Sequence, residues 1–366
     1  MKKTLLLLSS LLLFIGCSKD DDTSTEQNTI TENMYFPPIG SDTWETKTPA
    51  SLNWNENNIQ DLLDFLVLKN TKSFIVLHNG KIVMENYFNG HTSSTPWYWA
   101  SAGKTLTTAT TGIAQQEGFI NINNKVSDYI GTGWTSAPLA KENLITCKHL
   151  LTMTSGLDDE YNNDINNNLN NECITSDCLI YNSDAGTRWA YDNVYVKLQD
   201  VVSSATGQSW SNYFNSKLKN KIGMTGFWGQ VFNNSVYSSN TRSMARFGLL
   251  TLNNGNWDGE QIINQTYLNQ AVTTSQNINL AYGYMWWLNG KSSFHLPQTQ
   301  FEFQGELIPN APEEMYCALG KDDQKLYIVP SKKLVIVRMG DPADDSQFAV
   351  TNFDNELWQK INAVIN

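Results

Sequence analysis

Residues 73–88, SFIVLHNGKIVMENYF, alternate apolar and polar positions in two runs that meet at Asn79-Gly80. Successive side chains of a strand point to opposite faces, so each run reads as a β-strand, and Asn-Gly favours the tight turn that joins antiparallel neighbours. The spacing predicts a hairpin. A second hairpin is predicted over 325–340, KLYIVPSKKLVIVRMG, turning around Pro330-Ser331. Helical spacing replaces alternation in NNIQDLLDFLVLKN (57–70) and in SQFAVTNFDNELWQKINAVI (346–365), where Phe353, Leu357, Ile361 and Val364 fall on one stripe. Between these ends lie further helical patterns: Ser101 to about Glu117, stopped by Gly118; Cys147 to Met153; Asn193 to Ser204, with Asn193 placed to cap the first turn; and Asn240 to Leu252.

Strand patterns thus occupy both ends and helical patterns the middle. The economical arrangement is a mixed α/β (α+β) fold, an antiparallel sheet built from both chain ends, flanked by helices and interrupted by a mostly helical lobe. The sheet lobe takes about 41–100 and 280–366, the helical lobe about 101–279, and a ligand is expected in the cleft between them. The sole low-complexity stretch is the polar excursion NNDINNNLNN at 162–171.

Composition narrows the function classes. The 366 residues are 40% hydrophobic and 11% aromatic, enough for a sizeable core. The formal net charge is −11, with no basic run beyond Lys2-Lys3 and Lys332-Lys333, so a nucleic-acid partner is excluded. The start, MKKTLLLLSSLLLFIGC, carries a charged tip and an apolar run shorter than the ~20 residues a spanning helix needs, which predicts an export signal over 1–17. Its end, Phe-Ile-Gly-Cys, resembles a bacterial lipobox and implies cleavage before Cys17, a lipid on its sulfur, and anchoring to a membrane on the periplasmic or cell-surface side. A plain cleaved signal is the alternative. Residues 18–40 read as a flexible tether ahead of a catalytic domain over 41–366. In an oxidising compartment Cys173 and Cys178 are spaced for a short-loop disulfide, whereas Cys147 and Cys317 sit in apolar contexts as buried thiols. No cysteine and histidine spacing suggests zinc, and nothing else calls for a cofactor. The acidic cluster Asp158-Asp159-Glu160 with Asp164 lacks the spacing of a calcium loop and reads as a solvated turn.

The candidate chemistry lies in WYWASAGKTLTTATTG (97–112). Its Gly-Lys-Thr is not the end of a phosphate loop, because the required first glycine is Tyr98. Ser101 and Lys104, however, share one helix face at i, i+3 spacing, within contact range for a nucleophile and a base. A serine needs a base to take its proton, and lysine serves only when neutral, a form that burial favours. Ser101 at a helix start also has an unpaired N–H to face a developing oxyanion. Alone, S-x-x-K is common by chance. Further on, GTRWAYDN (186–193) supplies Tyr191, a phenol suited to relay a proton, and Asn193, an amide to orient the lysine or hold substrate. There is no G-x-S-x-G elbow, and His78, His91 and His295 lack evident partners, which disfavours a Ser-His-Asp hydrolase.

These segments, with ITCKHLLTMTSGL (145–157), KIGM (221–224), TRSMARFGLLTLNNGNWDGEQII (241–263), YGYMWW (282–287) and ALGKDDQKLYIVPSKKLVIVRMG (318–340), resemble the serine β-lactamase and penicillin-binding superfamily. The likeness is to the branch with class C β-lactamases, esterases and 6-aminohexanoate-oligomer hydrolases, and runs from about 73 to 340. It implies Ser101 as the acylated nucleophile, Lys104 as its base, Tyr191 as proton shuttle and Asn193 as supporting amide. The third motif, usually Lys-Thr-Gly or His-x-Gly, is Ala318-Leu319-Gly320 here. By the resemblance, the Leu319 N–H pairs with that of Ser101 as an oxyanion hole, while Ala318 supplies no cation for a substrate carboxylate. The glycine usual three residues after Gly320 is Asp323. Tyr161 resembles a substrate-side tyrosine of the oligomer hydrolases; Trp286 and Trp287 read as core residues or, by their family position, as placing one of them, taken as Trp286, at the cleft. His149 reads as structural, Lys321 as a solvated strand-end residue, and Arg188 as either a pin for the Tyr191 loop or a substrate contact.

The resulting expectation is a lipid-anchored serine hydrolase cleaving a small-molecule ester, amide or peptide through an acyl-enzyme, with an esterase or small-amide activity favoured. The alternatives are a β-lactamase or D-alanyl carboxypeptidase, and a non-catalytic module that binds cell-wall fragments.

Overall fold

A computed structural model of the chain describes residues 33–159, 173–231, 234–345 and 350–366. Cys17 and Tyr161 therefore lie outside the described residues. The two predicted hairpins form the centre of the fold. Strands β1 (Thr71–His78) and β2 (Lys81–Tyr87) turn at Asn79 and Gly80, both at positive φ (50° and 84°), the backbone that the two-residue turn requires. Gly80 has a second constraint: a β-carbon there would sit 1.9 Å from the Tyr35 carbonyl oxygen.

Four strands from the C-terminal third complete the sheet: β3 (Trp287–Leu288), β4 (Tyr316–Gly320), β5 (Gln324–Val329) and β6 (Leu334–Gly340). The order is β2-β1-β6-β5-β4-β3, every pair antiparallel, so the first hairpin docks on the last strand through β1 and β6. The sheet is thus built from both chain ends, as the pattern predicts.

Helices cover both faces, which is why β5 and β6 are buried along their whole length. On one face α5 (Thr241–Leu252), capped by the Asn240 side chain, approaches so closely that a β-carbon at Gly248 would lie 2.5 Å from Val335 and 2.8 Å from Leu326. The other face is covered by α6 (Asn352–Ile365), whose stripe Phe353, Leu357, Ile361 and Val364 is buried, together with α1 (Ile59–Leu68); Phe65 stacks on Phe353.

The helical lobe contains α2 (Lys104–Gln116), α3 (Cys147–Leu151) and α4 (Lys197–Thr206). Helix α2 is enclosed nearly all round, so its small Thr and Ala side chains mark close packing; a β-carbon at Gly112 would meet the Tyr267 ring at 2.2 Å. Two predicted starts need correction. Ser101 lies on a 3-10 turn, Ala100–Gly103, ahead of α2, and Val194–Val196 forms another ahead of α4. Asn193 does not cap that turn with its side chain; Asp192 Oδ1 accepts the Val194 N–H instead (3.1 Å). A three-stranded sheet of Trp97–Tyr98, Asn234–Ser239 and Phe227–Val231 was not evident in the pattern, because its strands are short and half exposed.

The sulfurs of Cys173 and Cys178 are joined, and Cys147 and Cys317 are buried free thiols. Among the described residues no helix is long and apolar enough to cross a membrane.

Candidate active site

The Ser101 turn is fixed from below. Trp99 is fully buried, its backbone N–H donates to the Tyr237 carbonyl (2.8 Å) and its indole N–H to Ser239 Oγ (2.8 Å). The next residue, Ala100, is forced to a φ of 47°, a left-handed conformation that costs a non-glycine residue about 1–3 kcal/mol. Such strain persists only where neighbours over-determine it, and here it lifts Ser101 out of the strand and onto the mouth of α2.

One turn on, Lys104 reaches back. Its Nζ lies 2.9 Å from Ser101 Oγ, and the residue is only 4% exposed. The Nζ also stands 4.8 Å from the ring centre of Tyr191 and 4.6 Å from that of Tyr195. Burial in this aromatic setting pushes the amine down to about 7, opposed by the negative charge of Asp192. Neutral amine is therefore available near neutrality. Burial pushes the Tyr191 phenol up to about 12, while its hydrogen bond to Ser101 acts the other way. Ser101, Lys104 and Tyr191 are thus brought together although 90 residues of sequence separate the first from the last.

The Tyr191 loop is held along its length. Asp159 pairs with Arg188 (2.5 Å), the Ala190 N–H donates to the Met153 carbonyl (2.9 Å), and Gln300 Nε2 donates to the Trp189 carbonyl (3.0 Å). Arg188 is therefore a pin for this loop, and Asp159 is part of it rather than of a solvated acidic turn. The Tyr191 ring stacks on Trp287 and meets Tyr282 edge-on. Trp286 needs correction: it is 1% exposed and packs between Phe247 and Tyr316 in the core, so Trp287 is the neighbour of Tyr191. Trp286 lies just before β3 and Trp287 opens it, and the sequence alone does not say which of the two faces the site.

Asn193 is half-buried, and its side chain makes no hydrogen bond among the described residues, which leaves the amide open at the end of the turn. Two contributors escaped the sequence reading. Tyr195 encloses the amine, and its i, i+4 spacing from Tyr191 was the available signal. Asp192 sits between the two singled-out residues; burial and the charge of Asp159 push its carboxyl up to about 7, against the Val194 N–H, Lys104 and Arg188.

The opposite wall is β4. The Met315 carbonyl accepts from Asn289 N on the β3 side, and backbone direction alternates along a strand, so the Leu319 N–H also points away from β5. The β3 pairing ends at Cys317, leaving Leu319 past it. Gly320 is packed against the Ser101 turn: a β-carbon there would sit 2.3 Å from the Trp99 carbonyl oxygen and 3.1 Å from Ala102 N. Ala318 is buried, and Lys321 is exposed beyond the strand end. His149 is structural, completing a capping box with Thr146 at the start of α3.

The family model for β-lactamases matches residues 71–344. A Bacillus anthracis protein assigned as a 6-aminohexanoate-dimer hydrolase superposes with a TM-score of 0.67 at 20% identity, covering 90% of this chain and 89% of its own. A class C β-lactamase gives 0.62 at 17% identity over 85% and 96% of the two chains. A penicillin-binding protein homologue from Caulobacter crescentus gives 0.63 at 10% identity over 84% and 96%. No curated protein matches in a sequence search. With a family match that spans both the sheet and the Ser101 turn, and neighbours that share the whole architecture, the chain belongs to the serine β-lactamase and penicillin-binding superfamily.

Proposed function

We propose that this protein hydrolyses an ester or small amide through an acyl-enzyme on Ser101. The observation that carries the reading is the 2.9 Å contact between Ser101 Oγ and a buried Lys104 amine beneath the Tyr191 ring. In the first step the neutral amine takes the Ser101 proton as Oγ bonds to the substrate carbonyl carbon. The oxyanion faces the N–H groups of Ser101 and Leu319. Collapse breaks the bond to the leaving group, which takes a proton from the Tyr191 phenol, and Lys104 returns one to the phenol. Water then attacks the acyl carbon along the same proton path in reverse and frees Ser101. The open Asn193 amide serves to hold the substrate.

Ala318 favours esters and small amides over β-lactams and cell-wall peptides, because no cation stands at this point to bind a carboxylate. Tyr161 and Cys17 keep their readings as a substrate-side residue and a lipid carrier that anchors the exported protein on the periplasmic or cell-surface side. A fluorophosphonate probe is expected to add its mass to the Ser101 peptide and leave Ser101→Ala unlabelled; labelling elsewhere, or none, refutes the hydrolase. Turnover of p-nitrophenyl esters above that of nitrocefin is expected, and fast nitrocefin turnover reverses the substrate assignment.

A further inference from the structure

The turn after β4, Lys321–Asp323, passes through the left-handed region at two consecutive non-glycine residues, Asp322 (φ 59°) and Asp323 (φ 58°). Asp tolerates this region singly better than most residues with a β-carbon, but two in succession are unfavourable unless the surroundings hold them. What holds them is a charged cluster beneath the sheet. The Asp323 carboxylate is 3% exposed: Oδ1 lies 3.1 Å from Lys325 Nζ and accepts from the Thr351 hydroxyl (3.0 Å), and Oδ2 accepts from Ala343 N (2.9 Å). Lys325, wholly buried, also donates to Asp354 (2.8 Å), whose other oxygen takes the Tyr327 hydroxyl (2.6 Å). Arg338 Nη1 donates to the carbonyls of Asp322 and Asp323, both at 3.0 Å. Two carboxylates thus share Lys325, while Arg338 holds the backbone carbonyls of the same turn.

The turn is in contact with the nucleophile segment on its other side. Asp322 Oδ2 accepts from the Tyr98 hydroxyl (2.7 Å), three residues before Ser101, and Gly320 lies against Trp99 and Ala102. We propose that Asp323 is a positioning residue: gripped by Lys325, Thr351 and the Ala343 N–H, it clamps the 321–323 turn and thereby holds the end of β4, with the Leu319 N–H, against the Ser101 turn. The inference rests on Ser101 being the nucleophile. Oxyanion donors act only when held at hydrogen-bond distance from where charge develops, so a loosened β4 lowers the rate of chemistry more than substrate affinity.

Asp323→Asn and Asp323→Gly test it, since both residues tolerate the left-handed backbone and leave Lys325 paired with Asp354. Expected in both are a kcat for p-nitrophenyl ester hydrolysis lowered about ten-fold or more with KM changed less than about two-fold. Hydrogen exchange is expected to quicken in the peptides covering 97–103 and 318–323. Unchanged exchange overturns the clamp whatever kcat does, and faster exchange with wild-type kcat overturns the positioning role. If the wild type itself fails to label at Ser101, the proposed hydrolase is what falls, and exchange still decides whether the clamp exists.

Discussion

Lys104 Nζ donates to Ser101 Oγ across 2.9 Å from a site sealed by the rings of Tyr191 and Tyr195. Burial holds the folded amine at about 7, against 10.5 for the unperturbed group. The kcat/KM of ester hydrolysis is therefore expected to rise with pH through about 7 as the amine loses its proton, and Lys104→Met to lose the activity. Stability depends on the same proton and moves the same way. Between about 7 and 10.5 the unfolded chain binds the extra proton, so this group's penalty is full below that window and is relieved as pH rises through it. Lys104→Met is expected to unfold at higher denaturant than wild type at pH 6, with the gap closing toward pH 10.

Asp192 raises the Lys104 amine through its negative charge. Asp192→Asn removes that charge, and the acid limb of the pH–rate profile is expected to move to lower pH. A profile that stays in place, measured on the same ester, removes Asp192 from the electrostatics of the site.

For Tyr191 the expected signature is a proton-transfer defect in a folded protein. Tyr191→Phe keeps the stacking on Trp287 and loses only the hydroxyl, so kcat is expected to fall about 10²–10⁴-fold, the range for a lost general acid or base. Circular dichroism is expected to be unchanged.

Gly320→Ala places a methyl where the Trp99 carbonyl oxygen leaves only 2.3 Å. Either β4 or the Ser101 turn has to shift, at a cost of about 1–3 kcal/mol, the usual penalty for overpacking. The expected outcome is a lower unfolding midpoint together with slower probe labelling of Ser101; wild-type labelling rates contradict the contact between these two walls.

How much of this was legible in the sequence depended on distance along the chain. The Asn79-Gly80 hairpin, the stripe of α6 and the Ser101–Lys104 spacing are local: one dihedral preference or one helical period encodes each, and the structure reproduces them. The family likeness added Tyr191. Motif matching did not reach the distinction between Trp286 and Trp287, which turns on the tertiary neighbours each ring packs against, Phe247 and Tyr316 for one and Tyr191 for the other. Nor did it account for Asp323, whose left-handed backbone is held by Lys325, Ala343 and Thr351. The sequence by itself determined the two hairpins, the main helices, their order and the candidate side chains Ser101 and Lys104, because those follow from nearest neighbours and from side-chain chemistry. Only the tertiary structure decided the sealing of Lys104, the pinning of the Tyr191 loop through Arg188 and Asp159, and the clamping of β4. Burial and charge pairing depend on what long-range packing brings alongside, and that is a property of the whole chain.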